Sequence, residues 1–476
     1  MLPRRGLPAP ALQPADPRAF YQMLEAYYLN NGLYQAWPPQ ELFGAPGGPM
    51  RSLRNPANRA VEFHVTHTWP GSLQRALPLV GASPQLAKAI GQLWAWSNWE
   101  VKKQLAVRWF ALFGDWFCKV AARPNAQGRP ASVYLQNIKP EMVTDFELDE
   151  RGNLVSIRLD WLTGEGPNAL ATTELWSKQQ GYALYQGRRP LGDQQNRLGQ
   201  PLVRRPLADF GIDFVPFVHA SFIDIGEKRG MGVFAHALDK IDEVNRMSTR
   251  LHQLIFRYNR PTLALLANGT DAAGRPLPPP RLFGEGALAP TDETDADGEM
   301  LSLPGNSRIE YLVPPLNYSA HLDAIGAMAA ELEEDLPELA YYRQRELGSN
   351  LSGKAVRLLL AQAVNRTAEA RGNMEAALVR AHKMALTMGA QAGLFAGIGS
   401  YAAGNFEHSF AERDVLPLSA EERAATLASE VAAGVPLPLA AQRQGWYPAE
   451  LGQLNQLLAH QQPTQQGGNE CNPTHP

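Results

Sequence analysis

A loop containing two glycines and a lysine is the strongest candidate for chemistry in this sequence. Residues 348–354 read Gly-Ser-Asn-Leu-Ser-Gly-Lys, which matches a phosphate-binding loop at both glycines and at the lysine. That loop would continue with a Ser or Thr that binds Mg²⁺, but Ala355 follows instead. The preceding residues, ELAYYRQREL, are polar and favour a helix rather than the buried strand that the loop needs. We expect a helix start with Ser352 as the N-cap, and ATP binding is the alternative.

Two histidines lie three residues apart, closer than any other pair in the chain. They are His64 and His67, in the run VEFHVTHTW. The alternation of Val61, Phe63 and Val65 favours a strand, on which residues three apart face opposite sides. The pattern therefore predicts no shared metal, and no other residues supply a nucleophile, a base or a cofactor site.

Acidic residues are concentrated in two segments. The first is the proline-rich insertion 268–300, and the second is the segment 331–338. A carboxylate metal site needs ligands that converge from separate segments, so we expect a solvated helix face at 331–338.

The composition excludes several classes of protein. The 476 residues are 45% hydrophobic and 19% charged, with a formal net charge of −3 and no basic surplus to hold a DNA backbone tightly. The two cysteines, Cys118 in an apolar run and Cys471 in a polar tail, do not indicate a disulfide framework. We expect no signal peptide and no membrane span, because neither an apolar leader nor a run of about 18 apolar residues is present. The expected setting is a reducing cytoplasm.

The elements that must position these residues form an α+β, mainly helical chain. Helices are predicted at 20–33, at 85–122 as two helices or one bent helix, at 230–258, at 319–336 and at 352–386, with short helices at 416–459. Strands are predicted at 132–138, 142–148, 154–162, 172–177, 181–186, 214–219, 262–266 and 308–313, with a hairpin turn at 149–153. The tryptophan-rich run from Trp94 to Trp116 predicts core packing. Residues 1–17 and 461–476 are too polar or proline-rich to predict order.

The order of these elements resembles that of the portal proteins of tailed bacteriophages, from about residue 20 to residue 458. The local patterns that carry the resemblance are Leu53-Arg54-Asn55-Pro56 before the segment with Val61 and Phe63; the run 94–120 with Trp99, Lys102, Arg108 and Gly114-Asp115; residues 138–143 with the following hairpin; residues 215–218; residues 238–245 with Ser248; and residues 352–356. Each pattern is weak alone, and their shared order is more specific.

The resemblance implies a portal-like fold. It has a β-rich wing at 18–229, a stem of two helices at 230–259 and 319–338, and a small α/β clip at 260–318. A tunnel loop at 339–351 precedes a long helix within 352–400, and a helical crown occupies 401–460.

The resemblance also implies a role and a set of partners. The chain would be a non-enzymatic virion protein that needs no cofactor and forms a ring, usually of twelve subunits, at one capsid vertex. Double-stranded DNA would pass through the ring during packaging and ejection. The partners would be the terminase large subunit, capsid or scaffold proteins and a head-completion adaptor, with no membrane.

Candidate site residues follow from this layout. The candidates for contact with channel DNA are Tyr341, Tyr342, Arg343, Arg345, Asn350, Glu331, Glu334 and Asp335. The clip candidates for terminase docking are Asp292, Glu293, Asp295, Asp297 and Glu299. Acidic stem residues would keep DNA binding shallow. Packing between neighbouring subunits is the alternative role for the loop residues. The alternative functions are a nucleotide-dependent DNA-handling enzyme that uses 348–354 and, more weakly, a head–tail adaptor, a class that is usually much shorter.

Overall fold

The computed structural model describes most of the chain, with gaps. The described residues are 17–30, 54–69, 79–124, 130–164, 169–187, 200–258, 262–266, 308–312, 318–343, 353–399, 406–416, 420–443, 451–454 and 456. The chain is α+β and mainly helical, as the sequence predicts. It divides into two compact units: Met1–Ala36 with Asn55–Leu238 and Glu333–Pro476, and Trp37–Arg54 with Asp239–Leu332.

The described α-helices follow in chain order. They are α1 (Pro17–Leu29), α2 (Pro56–Thr68), α3 (Pro84–Ser97), α4 (Trp99–Phe113), α5 (Leu238–Tyr258), α6 (Tyr318–Asp335), α7 (Ala340–Arg343), α8 (Gly353–Leu359), α9 (Ala361–Gln391), α10 (Ala420–Ala432) and α11 (Leu437–Arg443). The helices predicted at 20–33, 319–336 and 352–386 are present over their described residues: α1 runs from Pro17 and ends at Leu29, and a turn at Leu360 separates α8 from α9. Residues 31–33 and 352 lie outside the described residues.

The described strands form four sheets. They are β1 (Leu79–Val80), β2 (Asp115–Pro124), β3 (Pro130–Ile138), β4 (Val143–Leu148), β5 (Leu154–Thr163), β6 (Leu170–Ser177), β7 (Gly181–Gly187), β8 (Val203–Arg205), β9 (Phe217–Ser221), β10 (Thr262–Leu266), β11 (Arg308–Leu312) and β12 (Ser409–Phe410). The sheet orders are β1-β12, β10-β11, β3-β2-β9 and β4-β5-β6-β7-β8, with antiparallel pairs throughout. The strands predicted at 132–138, 142–148, 154–162, 172–177 and 181–186 and the hairpin turn are confirmed to within two residues at each end, whereas the strand predicted at 214–219 begins only at Phe217.

The core of the first unit contains side chains from both larger sheets. Its fully buried aromatic side chains include Phe117 of β2, Phe146 of β4 and Phe217 of β9. The long helix α9 packs across β9, β2 and β3. Burial of each of these large apolar side chains stabilises the fold by roughly 1.5–3 kcal/mol.

The strand predicted through Val61 and Phe63 is wrong, because the segment is helix α2. The Asn55 side chain accepts a hydrogen bond from the Asn58 N–H at 3.0 Å, and Pro56 occupies the first turn, which are both helix-start signals. Alternation is not diagnostic here because α2 is buried on most of its surface, including Val61, Phe63 and Val65.

The predicted helical segment 85–122 is correct only in its first part. A left-handed Asn98 separates α3 from α4, and Gly114 (φ +84°) ends α4. Residues from Asp115 onward form β2 instead of helix. Trp94, Trp99 and Trp116 are all buried, which confirms the predicted core packing.

The first long helix of the second half begins later than the predicted residue 230. The chain from Gly230 to Phe234 is irregular, a 3₁₀ turn covers Ala235–Ala237, and α5 begins at Leu238. Val233, Phe234 and Ala237 are nevertheless buried, so the apolar stripe continues through non-helical chain. In the second unit, β10 pairs with β11, and α5 and α6 lie on either side of this pair along the chain.

Candidate DNA-channel site

The acidic helix α6 exposes most of its length. Its sequence, YSAHLDAIGAMAAELEED, contains five acidic residues and no lysine or arginine, and only Ile325 and Leu332 are buried. Glu331 and Glu334 are exposed, and Asp335 is half-buried. A helix with one narrow apolar contact and a row of carboxylates presents a negative surface, which repels a polyanion.

One of these carboxylates has a cationic partner within the second unit. Lys240 Nζ of α5 lies 2.9 Å from Glu331 Oε1 of α6, and the Glu331 side chain stays 53% exposed. Such an exposed pair contributes little stability, at most about 1 kcal/mol. The pair joins the two predicted stem helices and partly neutralises Glu331, so Glu334 is the more effective negative charge.

The two tyrosines of α7 pack against α2. Tyr341 lies edge-on to Phe63 and His67, with ring centroids 5.5 and 5.3 Å apart, and is 37% exposed. The Tyr342 hydroxyl donates to the Arg59 carbonyl at 3.0 Å, and the Arg59 guanidinium lies 5.8 Å from the Tyr342 ring centroid. Contacts within one chain therefore account for much of both tyrosines' surface.

Other candidates lie outside what the structure describes. Arg343 ends α7, but its side chain is outside the described residues. The same is true of Arg345 and Asn350, and of the predicted clip residues Asp292, Glu293, Asp295, Asp297 and Glu299. Their assignments remain predictions.

A buried polar network holds the turn between α6 and α7. Glu338, in the 3₁₀ turn Pro337–Leu339, is fully buried, and its Oε1 lies 3.0 Å from His64 Nε2. The Arg366 Nη1 lies 3.2 Å from the same oxygen. The Thr367 hydroxyl donates to the Ala363 carbonyl, so it accepts from His64 Nδ1 at 3.0 Å. Both nitrogens of His64 thus face oxygen acceptors.

This network corrects one expectation. The segment 331–338 is not solvated throughout, because Glu338 is buried while Glu334 is exposed. The carboxylate beside His64 comes from a residue 274 positions away in sequence, which local spacing does not reveal. Burial opposes ionisation of Glu338, but the hydrogen bond and charge of His64 and the charge of Arg366 outweigh it and lower the Glu338 pKa.

A second buried carboxylate, Asp115 of β2, contacts polar groups from three other chain segments. It accepts from the Tyr21 hydroxyl at 2.6 Å, lies 2.7 Å from His219 Nε2 and accepts from the Gly230 N–H at 3.0 Å. Arg229 donates to the Tyr21 hydroxyl at 2.8 Å and to a carbonyl of β4. These partners satisfy the buried carboxylate, so the cluster stabilises the junction of α1, β2 and β9.

Metal and thiol chemistry find no support in the described part of the chain. Among these residues, no group of three or more His, Cys, Asp or Glu side chains is arranged to hold a metal ion. Cys118 is a free, buried thiol, and burial raises its pKa to about 12, so it is a poor nucleophile at neutral pH. No helix in the described ranges is long and apolar enough to cross a membrane.

The phosphate-loop candidate lacks its expected structural context. Residues 348–352 lie outside the described ranges, and α8 begins at Gly353, close to the predicted helix start. The described residues before the loop form the 3₁₀ turn Pro337–Leu339 and helix α7, not a strand.

Comparisons with known proteins found no match by sequence, while the matches by structure include three particles of gene transfer agents, each at low sequence identity. No protein-family model matches the chain, and no curated protein does. The neck of a native gene transfer agent particle, computed with C12 symmetry, is 16% identical with a TM-score of 0.45, covering 82% of this chain and 90% of that chain. The neck of the empty particle, computed with C6 symmetry, is 16% identical with a TM-score of 0.44, covering 83% and 94%.

The third match is the virion of the native gene transfer agent particle. It is 16% identical with a TM-score of 0.40, covering 80% of this chain and 86% of that chain. All three are neck or virion particles, and the two necks were computed with rotational symmetry. An identity of 16% with TM-scores below 0.5 assigns no function to this chain.

Proposed function

We propose that this chain is the subunit of a portal-type ring, a structural conduit for double-stranded DNA at a capsid vertex. The observation that carries the proposal is the order of elements from α5 to α9. A long helix, an antiparallel strand pair, an exposed acidic helix, a 3₁₀ turn with the short helices α7 and α8, and a 31-residue helix follow one another in the described part of the chain. This is the order of stem, clip, stem, tunnel loop and long helix that the resemblance to phage portal proteins implies.

The second compact unit supports the stem and clip assignment. It groups α5, β10, β11 and α6 up to Leu332, although 41 residues separate the two strands in sequence. The paired strands bring the ends of the insertion 267–307 together, as a projecting clip requires. We propose that its acidic, proline-rich chain docks the terminase large subunit and, later, a head-completion adaptor.

The charge of α6 supports a channel that does not trap DNA. In a ring, symmetry repeats each carboxylate once per subunit, so Glu334 becomes a circle of negative charge. Such a circle repels phosphates and keeps DNA mobile, consistent with the net charge of −3. Tyr341 and the segment that follows α7 are then proposed to face the DNA.

Electron microscopy of the purified chain tests this proposal. A portal subunit forms closed rings with a central opening wide enough for duplex DNA, whereas a nucleotide-dependent enzyme hydrolyses ATP through Lys354.

A further inference from the structure

Four polar groups form a continuous hydrogen-bonded chain in the first unit. The Trp94 indole N–H of α3 donates to His382 Nε2 of α9 at 2.8 Å. His382 Nδ1 lies 3.1 Å from His408 Nε2, and His408 Nδ1 lies 2.8 Å from the Phe406 carbonyl. The two imidazole rings are stacked, with centroids 5.3 Å apart.

Counting hydrogens fixes the protonation of both rings. The hydrogen-bonded series contains three donor–acceptor contacts, and each contact takes one hydrogen. Trp94 supplies the first hydrogen, so His382 carries its own on Nδ1 and donates to His408. His408 in turn carries its hydrogen on Nδ1 and donates to the Phe406 carbonyl. Two neutral histidines therefore satisfy every group.

A third proton on this pair has no acceptor. If His408 gains a proton, its Nε2–H meets the Nδ1–H of His382. If His382 moves its hydrogen to Nε2 to avoid that contact, it meets the Trp94 N–H instead. Every arrangement of the extra hydrogen places two donors against each other, and a buried donor without an acceptor costs roughly 1–3 kcal/mol or more when charged.

The surroundings offer little to stabilise an imidazolium. His382 is fully buried between Trp94, His408 and Phe410. His408 is 8% exposed, and the ion pair of Lys383 Nζ with Glu407 Oε1, at 2.8 Å, lies beside it. Lys383 disfavours and Glu407 favours the charged form of His408, so these two neighbours oppose each other.

A groove of about 600 Å³ is lined in part by His408, so that solvent can approach this ring. The groove between β9 and α9 is lined by His219, Ser221, Asp224, Asn373, Arg380 and His408. Its charged and titratable groups other than His408 are Asp224, Arg380 and His219. The guanidinium of Arg380 is engaged with the carbonyls of Gly152 and His219.

The histidine pair lies next to the short strand β12, which pairs with β1. Ser409 and Phe410 form β12, which pairs with Val80 and Leu79, and Phe410 packs edge-on to Trp69 with centroids 5.2 Å apart. Three residues later the Arg413 carbonyl accepts from Arg371 Nη1 at 2.6 Å. Residues 406–416 thus connect α9 to α3 and to the residue after α2.

We propose that the Trp94–His382–His408–Phe406 chain is an acid-sensitive lock, in which uptake of a proton by the histidine pair loosens residues 406–416 from α3 and α9. The lock is a property of this unit and does not depend on the proposed portal function.

The direction of the pH dependence follows from burial. Burial lowers the pKa of both histidines, that of His382 strongly, and the neighbouring His408 ring lowers the pKa of His382 further. The open state, with an ordinary histidine pKa of about 6.5, binds more protons than the closed state below that pH. The lock therefore holds fully above about pH 6.5 and weakens as pH falls below it.

Hydrogen–deuterium exchange of the full-length protein tests the lock. Exchange of peptides covering 406–416 is measured at pH 7.5 and 5.5 and corrected for the intrinsic pH dependence of exchange. If opening takes up one proton, the opening equilibrium constant obtained from the corrected exchange rates rises about tenfold per pH unit below 6.5. If it takes up two protons, that constant rises by up to about a hundredfold per pH unit. A peptide from the β5–β6 hairpin is the internal reference, because no histidine lies in it.

A non-titrating variant separates the lock from general acid sensitivity. In His408→Gln the side-chain oxygen replaces Nε2 as the acceptor from His382 and takes up no proton at these pH values. We expect the variant to lose most of the difference between pH 7.5 and pH 5.5, while the exposed-site control His321→Gln retains it. Equal corrected exchange of 406–416 at both pH values in the wild-type protein overturns the proposal. So does a pH response of a folded His408→Gln protein equal to that of the wild type; if the variant does not fold, the wild-type comparison with the hairpin decides.

Discussion

His64 Nε2 and Glu338 Oε1 lie 3.0 Å apart, and both side chains are fully buried. The contact joins α2 to the turn that follows α6, immediately before the predicted tunnel loop. Leu339 and α7 follow within two residues, so the pair fixes the point from which the loop starts. A buried pair of this kind contributes little relative to an apolar replacement, but loss of one partner leaves an unsatisfied charge.

We therefore expect Glu338→Gln to destabilise the protein by about 3 kcal/mol. The substitution keeps the side-chain shape but removes the negative charge that faces His64 and Arg366. Urea unfolding at pH 7.5 measures the change. The control is Glu334→Gln, four residues earlier and exposed, for which we expect a change within about 0.5 kcal/mol. Equal stability of the two variants would contradict a structural role for the buried pair.

Gly114 should not tolerate a side chain. Its φ is +84°, and a Cβ there would lie 2.5 Å from the Gly230 carbonyl oxygen. We expect Gly114→Ala to destabilise the protein by at least about 2 kcal/mol, because backbone strain and the clash act together.

Replacement of Gly326 by alanine should raise the stability of the protein, whereas the same replacement at Gly114 should lower it. Gly326 lies inside α6, and a Cβ there meets nothing within 4 Å. Gly326→Ala should stabilise α6 by up to about 1 kcal/mol, since alanine favours helix. Thermal unfolding measures whether Gly114→Ala lowers and Gly326→Ala raises the stability of the protein. A Gly114→Ala protein as stable as the wild type would show that Gly114 and Gly230 do not lie as close together as the structure has them.

Reversal of one acidic charge on α6 should strengthen DNA binding. Glu334→Lys replaces a repelling charge by a cation, so duplex DNA binding should tighten and depend more steeply on salt, by about 0.9 in slope for each new phosphate contact. Fluorescence anisotropy between 50 and 200 mM salt measures both. The matched control is Glu421→Lys on α10, also exposed, which makes the same charge change outside the proposed stem. If both variants bind DNA equally, net charge alone explains the effect and α6 does not line the channel.

Lys354→Ala should leave the rate of ATP hydrolysis unchanged, at the background level. We expect no ATP hydrolysis above background in either the wild-type protein or the variant, because Ala355 replaces the Mg²⁺-binding hydroxyl and the nearest described residues before the loop, 337–343, form a 3₁₀ turn and helix α7. A colorimetric phosphate-release assay with and without DNA measures this. ATP hydrolysis by the wild-type protein that disappears in Lys354→Ala would favour the nucleotide-dependent enzyme.

Local sequence patterns predicted much of the fold where one face is buried and the other is not. The strands and hairpin from β3 to β7 alternate or end at clear turn residues, and α6 was predicted to within two residues at each end. The failures lie in segments that are largely buried. α2 is buried on most sides, so Val61, Phe63 and Val65 show no helical period. β2 continues an apolar run directly from α4, and only Gly114 marks the change.

The site was predictable only in its exposed part. The exposure of Glu331 and Glu334 follows from the composition of α6. The contacts of His64 with Glu338, and of His382 with Trp94, join residues 274 and 288 positions apart, which no local spacing reveals. A local signal near Glu338 is the proline before it, Pro337, which disfavours continuation of α6 and begins the 3₁₀ turn that contains Glu338.

Negative-stain electron microscopy of the purified protein, over a range of protein concentrations and salt, shows whether the subunits form a ring. We expect closed rings of uniform subunit number with a central channel wide enough for duplex DNA, and Glu334→Lys rings of the same shape. Monomers alone under every condition would contradict the proposal that this chain is the subunit of a DNA conduit.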